Sequence, residues 1–165
     1  MAITGSEETA NDPITSEAIE VELDRRGHIV TSWGELGSIT LAQSGAVTSQ
    51  YRIGKPSSDA APTVFKVEFP PDCRVEAHTH ACDYSEIILE GSQQVSGKWL
   101  HEGAVRVGLA HKAYGPLIAG PEGVTVLVIF ASGNWPAIPV GAGDGSTLGS
   151  AELADRFSAA TAAPS

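Results

Sequence analysis

Phe69-Pro70-Pro71-Asp72-Cys73-Arg74-Val75-Glu76-Ala77-His78-Thr79-His80-Ala81-Cys82-Asp83-Tyr84-Ser85-Glu86-Ile87-Ile88-Leu89-Glu90-Gly91 is the stretch on which the reading of this chain turns. A proline-rich turn leads to a His-x-His pair, then to an apolar run that ends at a glycine. In an extended segment alternate side chains share a face, so His78 and His80 project together and their imidazoles can converge on one ion. Imidazole suits Zn, Fe, Ni, Mn or Cu, and a carboxylate from a neighbouring strand would complete the set.

Outward from this segment, strand signals repeat: residues 39–42, 47–53, 64–69, 85–89, 93–99, 104–107 and 124–130 are short apolar or alternating runs. Turn residues separate nearly every pair, among them Gly54-Lys55-Pro56, Pro70-Pro71-Asp72, Gly91, Gly97, Gly103 and Gly120-Pro121-Glu122-Gly123. Short strands at this spacing, without helical patterns between them, imply an all-β sandwich or barrel. Residues 1 to about 15 read as a polar, flexible leader. Ile19-Glu20-Val21-Glu22-Leu23 alternates with period two and is read as a half-buried strand, although Ser16 with Glu17 also suits a helix cap. After Phe130 the composition turns rich in Gly, Pro, Ala and Ser, like a linker. Ser150-Ala151-Glu152-Leu153-Ala154-Asp155-Arg156-Phe157 then reads as a short helix with Leu153 and Phe157 on one face, packed on the barrel or on a second subunit. The expected layout is an N-terminal extension over 1–36, a β domain over 37–133 and a linker with a short helix over 134–165.

A proline-rich turn, His-x-His, and an apolar strand closing on Leu89-Glu90-Gly91 together resemble the first motif of the cupin superfamily. The second motif of that family would occupy Glu102-Gly103-Ala104-Val105-Arg106-Val107-Gly108-Leu109-Ala110-His111-Lys112-Ala113-Tyr114-Gly115-Pro116. The resemblance spans roughly residues 63–130 and implies a double-stranded β-helix (jelly-roll) barrel, commonly a homodimer, with a metal and substrate pocket inside. Two positions depart from it. The glutamate that usually joins the two His falls at Tyr84, while Glu86 lies two residues on, on the same strand face; the usual final His falls at Tyr114. Tyrosine is a weak ligand until deprotonated but a good hydrogen-bond donor and a possible acid or base.

Three arrangements follow. His78, His80 and Glu86 form a two-His-one-carboxylate face with Tyr84 and Tyr114 as catalytic neighbours; or Tyr84 or Tyr114 ligates as phenolate; or no metal binds and the same groups form a proton-transfer pocket. The first is the leading expectation: a divalent transition metal, Fe, Zn, Mn or Ni, on His78, His80 and Glu86, with Tyr114 facing a small organic substrate. Dioxygenase-type chemistry is slightly preferred to lyase or isomerase chemistry, because such a face leaves room for dioxygen. The competing class is a metal-free or non-catalytic cupin that binds or senses a small molecule.

Other candidates read more plainly. Cys82 shares parity with the two His but is expected as a small buried thiol, and His28, His101 and His111 as ordinary surface residues. Arg106 sits between Val105 and Val107 and is expected to face solvent from the outer sheet, with reach toward a substrate carboxylate as the alternative.

Composition bounds the rest. The 165 residues carry 10 Lys+Arg against 20 Asp+Glu, a formal net charge of -10, so nucleic acid and anionic membrane surfaces are repelled. No apolar run reaches a membrane span and the N-terminus has no signal core, which points to a cytoplasmic protein. The 2 cysteines are too few for a disulfide framework.

Overall fold

Runs of apolar residues between Gly and Pro turns pair antiparallel here, because each strand can bury only one face and needs a neighbour for its backbone groups. The computed structural model describes residues 12–141 and 148–159. In chain order the elements are α1 (Ser16–Arg26), α2 (Trp33–Leu36), β1 (Ile39–Thr40), β2 (Val47–Arg52), β3 (Thr63–Phe69), β4 (Arg74–Val75), β5 (His78–Thr79), β6 (Tyr84–Val95), β7 (Lys98–His101), β8 (Val105–Gly108), β9 (Leu117–Phe130), β10 (Ile138–Pro139) and α3 (Ser150–Ala159). The main sheet runs β1-β2-β3-β9-β6-β7, with β4 joined to β9 and β8 to β6; β10 pairs β5 in a second, small sheet. This is an all-β jelly-roll barrel with a short C-terminal helix.

The central strand is β9, flanked by β3 from Thr63↔Phe130 to Phe69↔Val124 and by β6 from Tyr84↔Phe130 to Val95↔Leu117. Gly91 and Gly120–Gly123, read from sequence as turns, instead lie inside β6 and β9. Gly91 pairs with Val124, beside irregularities in the ladder at Ile88/Glu90 and Gly91/Gln93. Gly91 has φ 79° and Gly123 φ 82°, and a Cβ on Gly91 would collide with the Gly123 carbonyl oxygen. Glycine thus lets two long strands bend past each other without breaking, which is why a turn signal is present where the strand continues. The true hairpin is Ser96-Gly97, both at positive φ, between the paired Val95 and Lys98.

The N-terminal strand expected at residues 19–23 is a helix. Thr15 caps it by accepting from the Ala18 N–H at 3.1 Å, Gly27 closes it at φ 76°, and Glu22 pairs with Arg25 at 2.7 Å. Local capping and an i,i+3 pair outweigh the period-two pattern, since α1 buries none of its residues and has no strand partner. No described helix is long and apolar enough to cross a membrane.

The interior is aromatic at one end, where Phe65, Cys82, Tyr84, Phe130 and Trp135 pack, and aliphatic at the other, around Ile88, Ala119, Val124 and Val126. Phe157 of α3 stacks edge-on against Phe65 with centroids 5.7 Å apart, so the expected C-terminal helix packs on the barrel. The leader over 1–11, residues 142–147 of the Gly-rich stretch and the Ser150 side chain expected to cap α3 lie outside the description.

Candidate functional site

β5 and the residue after it carry His78 and His80 into the barrel, where each is 5% exposed and the ring centroids are 5.0 Å apart. The shared face expected from strand parity is present. His78 Nδ1 lies 2.8 Å from the Glu76 carbonyl oxygen, and His80 Nδ1 lies 2.6 Å from that of Trp135. A carbonyl can only accept, so both Nδ1 atoms carry hydrogen and both Nε2 atoms present lone pairs to the interior.

Those lone pairs meet at one hydroxyl. Tyr114 is held to His78 by two backbone hydrogen bonds, Tyr114 N–H to His78 O at 3.1 Å and His78 N–H to Tyr114 O at 3.0 Å. Its Oη then lies 2.6 Å from His78 Nε2 and 2.9 Å from His80 Nε2. One phenol has one hydrogen, so it serves one imidazole, and the shorter contact assigns it to His78. His80 Nε2 is left as an acceptor without a proton.

Behind this trio stands a charged pair. Arg106 on β8 is the cross-strand partner of Glu86 on β6. Its Nη2 donates to Glu86 Oε2 at 3.0 Å and its Nη1 to Tyr84 Oη at 2.8 Å, and the guanidinium carbon sits 4.2 Å from the Tyr114 ring centroid. The solvent-facing placement expected of Arg106 is therefore corrected: Val105 and Val107 are the outward residues, 65% and 74% exposed. The inversion has a physical cause, since a carboxylate as buried as Glu86 must be met by a cation and hydrogen bonds. Gly108, opposite Tyr84 on β8, has no side chain because a Cβ would run into the Tyr84 ring and hydroxyl.

Burial sets the electrostatics. It lowers the His78 pKa, and together with the neighbouring His78 and Arg106 it pushes His80 down to about 4, against the carbonyl bond from Trp135. The same burial raises Tyr84 and lifts Tyr114 well above the ordinary phenol value. Glu86 is also raised by burial, opposed by Arg106. A guanidinium does not give up its proton, so the pair is ionised; a neutral Glu86 would strand a cation inside the barrel.

His78, His80, Tyr114 and Glu86 form one wall of a cavity of about 110 Å³. The rest is mostly apolar, including Phe65, Phe130, Trp135, Leu148 and Leu153. An engineered apolar cavity of about 150 Å³ takes benzene, so the space suits a compact molecule.

The donor chemistry fits a metal on one side only. Two neutral imidazoles, each fixed by a carbonyl on its far nitrogen, are the form in which His binds a transition metal. Glu86, however, is engaged by Arg106, and among the described residues no three of His, Cys, Asp and Glu gather as a group able to hold an ion. Cys82 is buried beside Tyr84 and Trp135 in the aromatic cluster. Two contributors escaped the sequence: the Trp135 carbonyl, and Arg106 as an inward residue. The lone Trp in a Gly/Pro-rich stretch was the available signal for the first, and the Glu86–Arg106 register for the second.

No family model matches this sequence, and no curated protein matches it. Among solved structures, the polyketide cyclase RemF from Streptomyces resistomycificus superposes with a TM-score of 0.58 at 16% identity, over 73% of this chain and 90% of that one. An RmlC-like cupin from Shewanella frigidimarina does so with a TM-score of 0.51 at 20% identity, over 62% of this chain and 90% of its own. At these identities the likeness is one of fold.

Proposed function

With the cupin fold of this chain as premise, we propose that it is a small-molecule enzyme of lyase or isomerase type, moving a proton on a compact, largely apolar substrate. The observation that carries this reading is the single Tyr114 hydrogen facing two imidazole lone pairs at the polar end of the barrel cavity. His78 orients the Tyr114 hydroxyl, which donates its hydrogen to a developing oxyanion while His80 Nε2 accepts the proton taken from carbon; protonated His80, 2.9 Å from Tyr114 Oη, then returns that proton to Tyr114. Arg106 stacks on the Tyr114 ring and bonds Tyr84, which holds both phenols in place. The apolar wall keeps water from competing for the proton.

A divalent transition metal, were one bound, would be held by His78 and His80 and would supply Lewis acidity there. Oxygenative chemistry is the less favoured branch, because the carboxylate of a two-His-one-carboxylate face is committed to Arg106. A second reading, a binding or sensing cupin, is favoured by one observation: burial lowers His78, takes His80 down to about 4 and raises Tyr114 well above the ordinary phenol value, so these groups are moved away from the acid–base range in which they would ordinarily exchange protons.

Solvent-exchange NMR separates the two. A panel of small carbonyl compounds with an acidic α C–H is incubated with the protein in D2O. Deuterium wash-in that Tyr114→Phe slows by roughly 10²–10⁴-fold is the expected result. Binding of panel members without any wash-in assigns the pocket to recognition and overturns the enzymatic reading.

A further inference from the structure

We propose that the outer face of the main sheet docks a second copy of this chain, with an apolar ridge on β8 of each protomer seated in a cleft beside α1 of the other. This surface lies outside the barrel cavity and is independent of the chemistry proposed there. Phe65, Val67, Val126, Val128, Glu86 and Thr48 line the cavity, so their neighbours along the strands face the other way. The registers of β2, β3, β9, β6 and β8 align those neighbours in two rows. One row is Tyr51, Val64, Ile129, Ser85 and Val107; the next is Ser49, Lys66, Leu127, Ile87 and Val105. From Tyr51 to Val107 is four strand spacings, about 19 Å.

The two ends of this face are unlike. At the β8 end it is bare: Val105, Val107 and, just past the strand, Leu109 are 65%, 74% and 58% exposed, on an edge strand that stable proteins keep covered. At the β2 end Trp33 of α2 lies on Tyr51, with ring centroids 5.6 Å apart, and 5.8 Å from Lys66 Nζ. Beside it a cleft of about 650 Å³ opens between α1 and α2, walled by Ile19, Leu23, Trp33 and Leu36 and rimmed by Val30, which is 90% exposed. A ridge and a cleft at opposite ends of one face are both filled by a two-fold axis between them, because residue i of one copy then meets j of the other and j meets i. Charge also selects this occupant. Each copy carries a formal charge of -10, yet neither row contains a carboxylate, and the cation in them, Lys66, is engaged by Trp33 and by Glu68 at 3.7 Å. Arg52, in the cleft wall, gives its Nη1 bond to the Ser58 carbonyl oxygen at 2.7 Å. A strongly charged partner has nothing in the two rows to pair with, whereas a second copy brings the neutral apolar ridge that the cleft matches.

Analytical ultracentrifugation of the full chain tests this. Between roughly 1 and 100 μM, the range for an interface of modest size, it should show a monomer–dimer equilibrium. Val107→Lys places a cation on the ridge, facing the Arg52 side of the partner cleft, and Val30→Glu places an anion on the cleft rim; each should raise the Kd at least about 10-fold. Both positions are exposed in the single chain, so neither change reaches its core. An equimolar mixture of the two variants should associate at least about 3-fold more tightly than either alone, since one native contact returns and the other sets an ammonium against a carboxylate. A chain that stays monomeric throughout that range, a dimer that both variants leave intact, or a mixture that associates no better than its components overturns the proposal. The proton-exchange assay reads the barrel cavity alone, so either proposal can fail without the other.

Discussion

At the scale of the residue, His80 couples the site to stability. Its pKa is about 4 when folded, against an ordinary value of 6.5, so between those limits the unfolded chain binds more protons. Stability then rises with pH across this window, and acidification from pH 7 to 5 withdraws about 2 kcal/mol through this ring, with His78 acting in the same direction. Urea denaturation at both pH values should show that loss in the wild type and a clearly smaller one in His80→Gln. An identical pH slope in the two proteins would mean that the ring is not buried as a neutral acceptor. Parity made His78 and His80 legible in the sequence, because alternation is set by the backbone alone. The partner of Glu86 was not, since two strands had to be placed in register before Arg106 could be seen to face it.

At the scale of the element, the two glycine bends separate local from tertiary causes. Gly91→Ala meets both a positive φ and the Gly123 carbonyl, whereas Gly97→Ala, at φ 85°, meets nothing within 4 Å. The Gly97 change should therefore cost about 1–2 kcal/mol, the penalty for a left-handed non-glycine residue. The Gly91 change should cost at least about 2 kcal/mol more, by the overpacking it forces on β9. Chemical denaturation of the two variants side by side measures this, and equal losses would show that β6 and β9 do not cross closely at Gly91. The same pair explains what sequence could convey about strands. Gly97 stands at a hairpin and carries a true turn signal, although the strand expected over 93–99 runs through it, while Gly91 carries the same turn chemistry inside a continuous strand, distinguished only by a partner 32 positions away in the chain. Residues 19–23 failed in the opposite sense: a period-two pattern is decisive only where a neighbouring strand exists to pair with it, and there the Thr15 and Gly27 caps prevailed.

At the scale of the whole molecule, the barrel is closed by segments whose composition set them apart from it as linker and helix. Trp135 packs in the aromatic core and lends its carbonyl to His80, and β10 pairs Pro139 with His78. Leu148 and Leu153 line the cavity, Glu152 accepts from the Ala42 N–H at 3.2 Å, and Phe157 lies on Phe65. The C-terminal segment is thus one side of the pocket, and its composition hid this because a few large side chains do the packing while Gly, Pro and Ala between them dominate the count. Leu153→Ala with Phe157→Ala should remove half-buried rather than fully buried apolar surface, a loss of about 2–4 kcal/mol, below the sum for two core positions. It should also open the cavity, raising binding of an apolar dye such as ANS to the native protein. If the double variant keeps wild-type stability and dye binding, α3 does not cover the barrel mouth, and the pocket is bounded by the sheets alone.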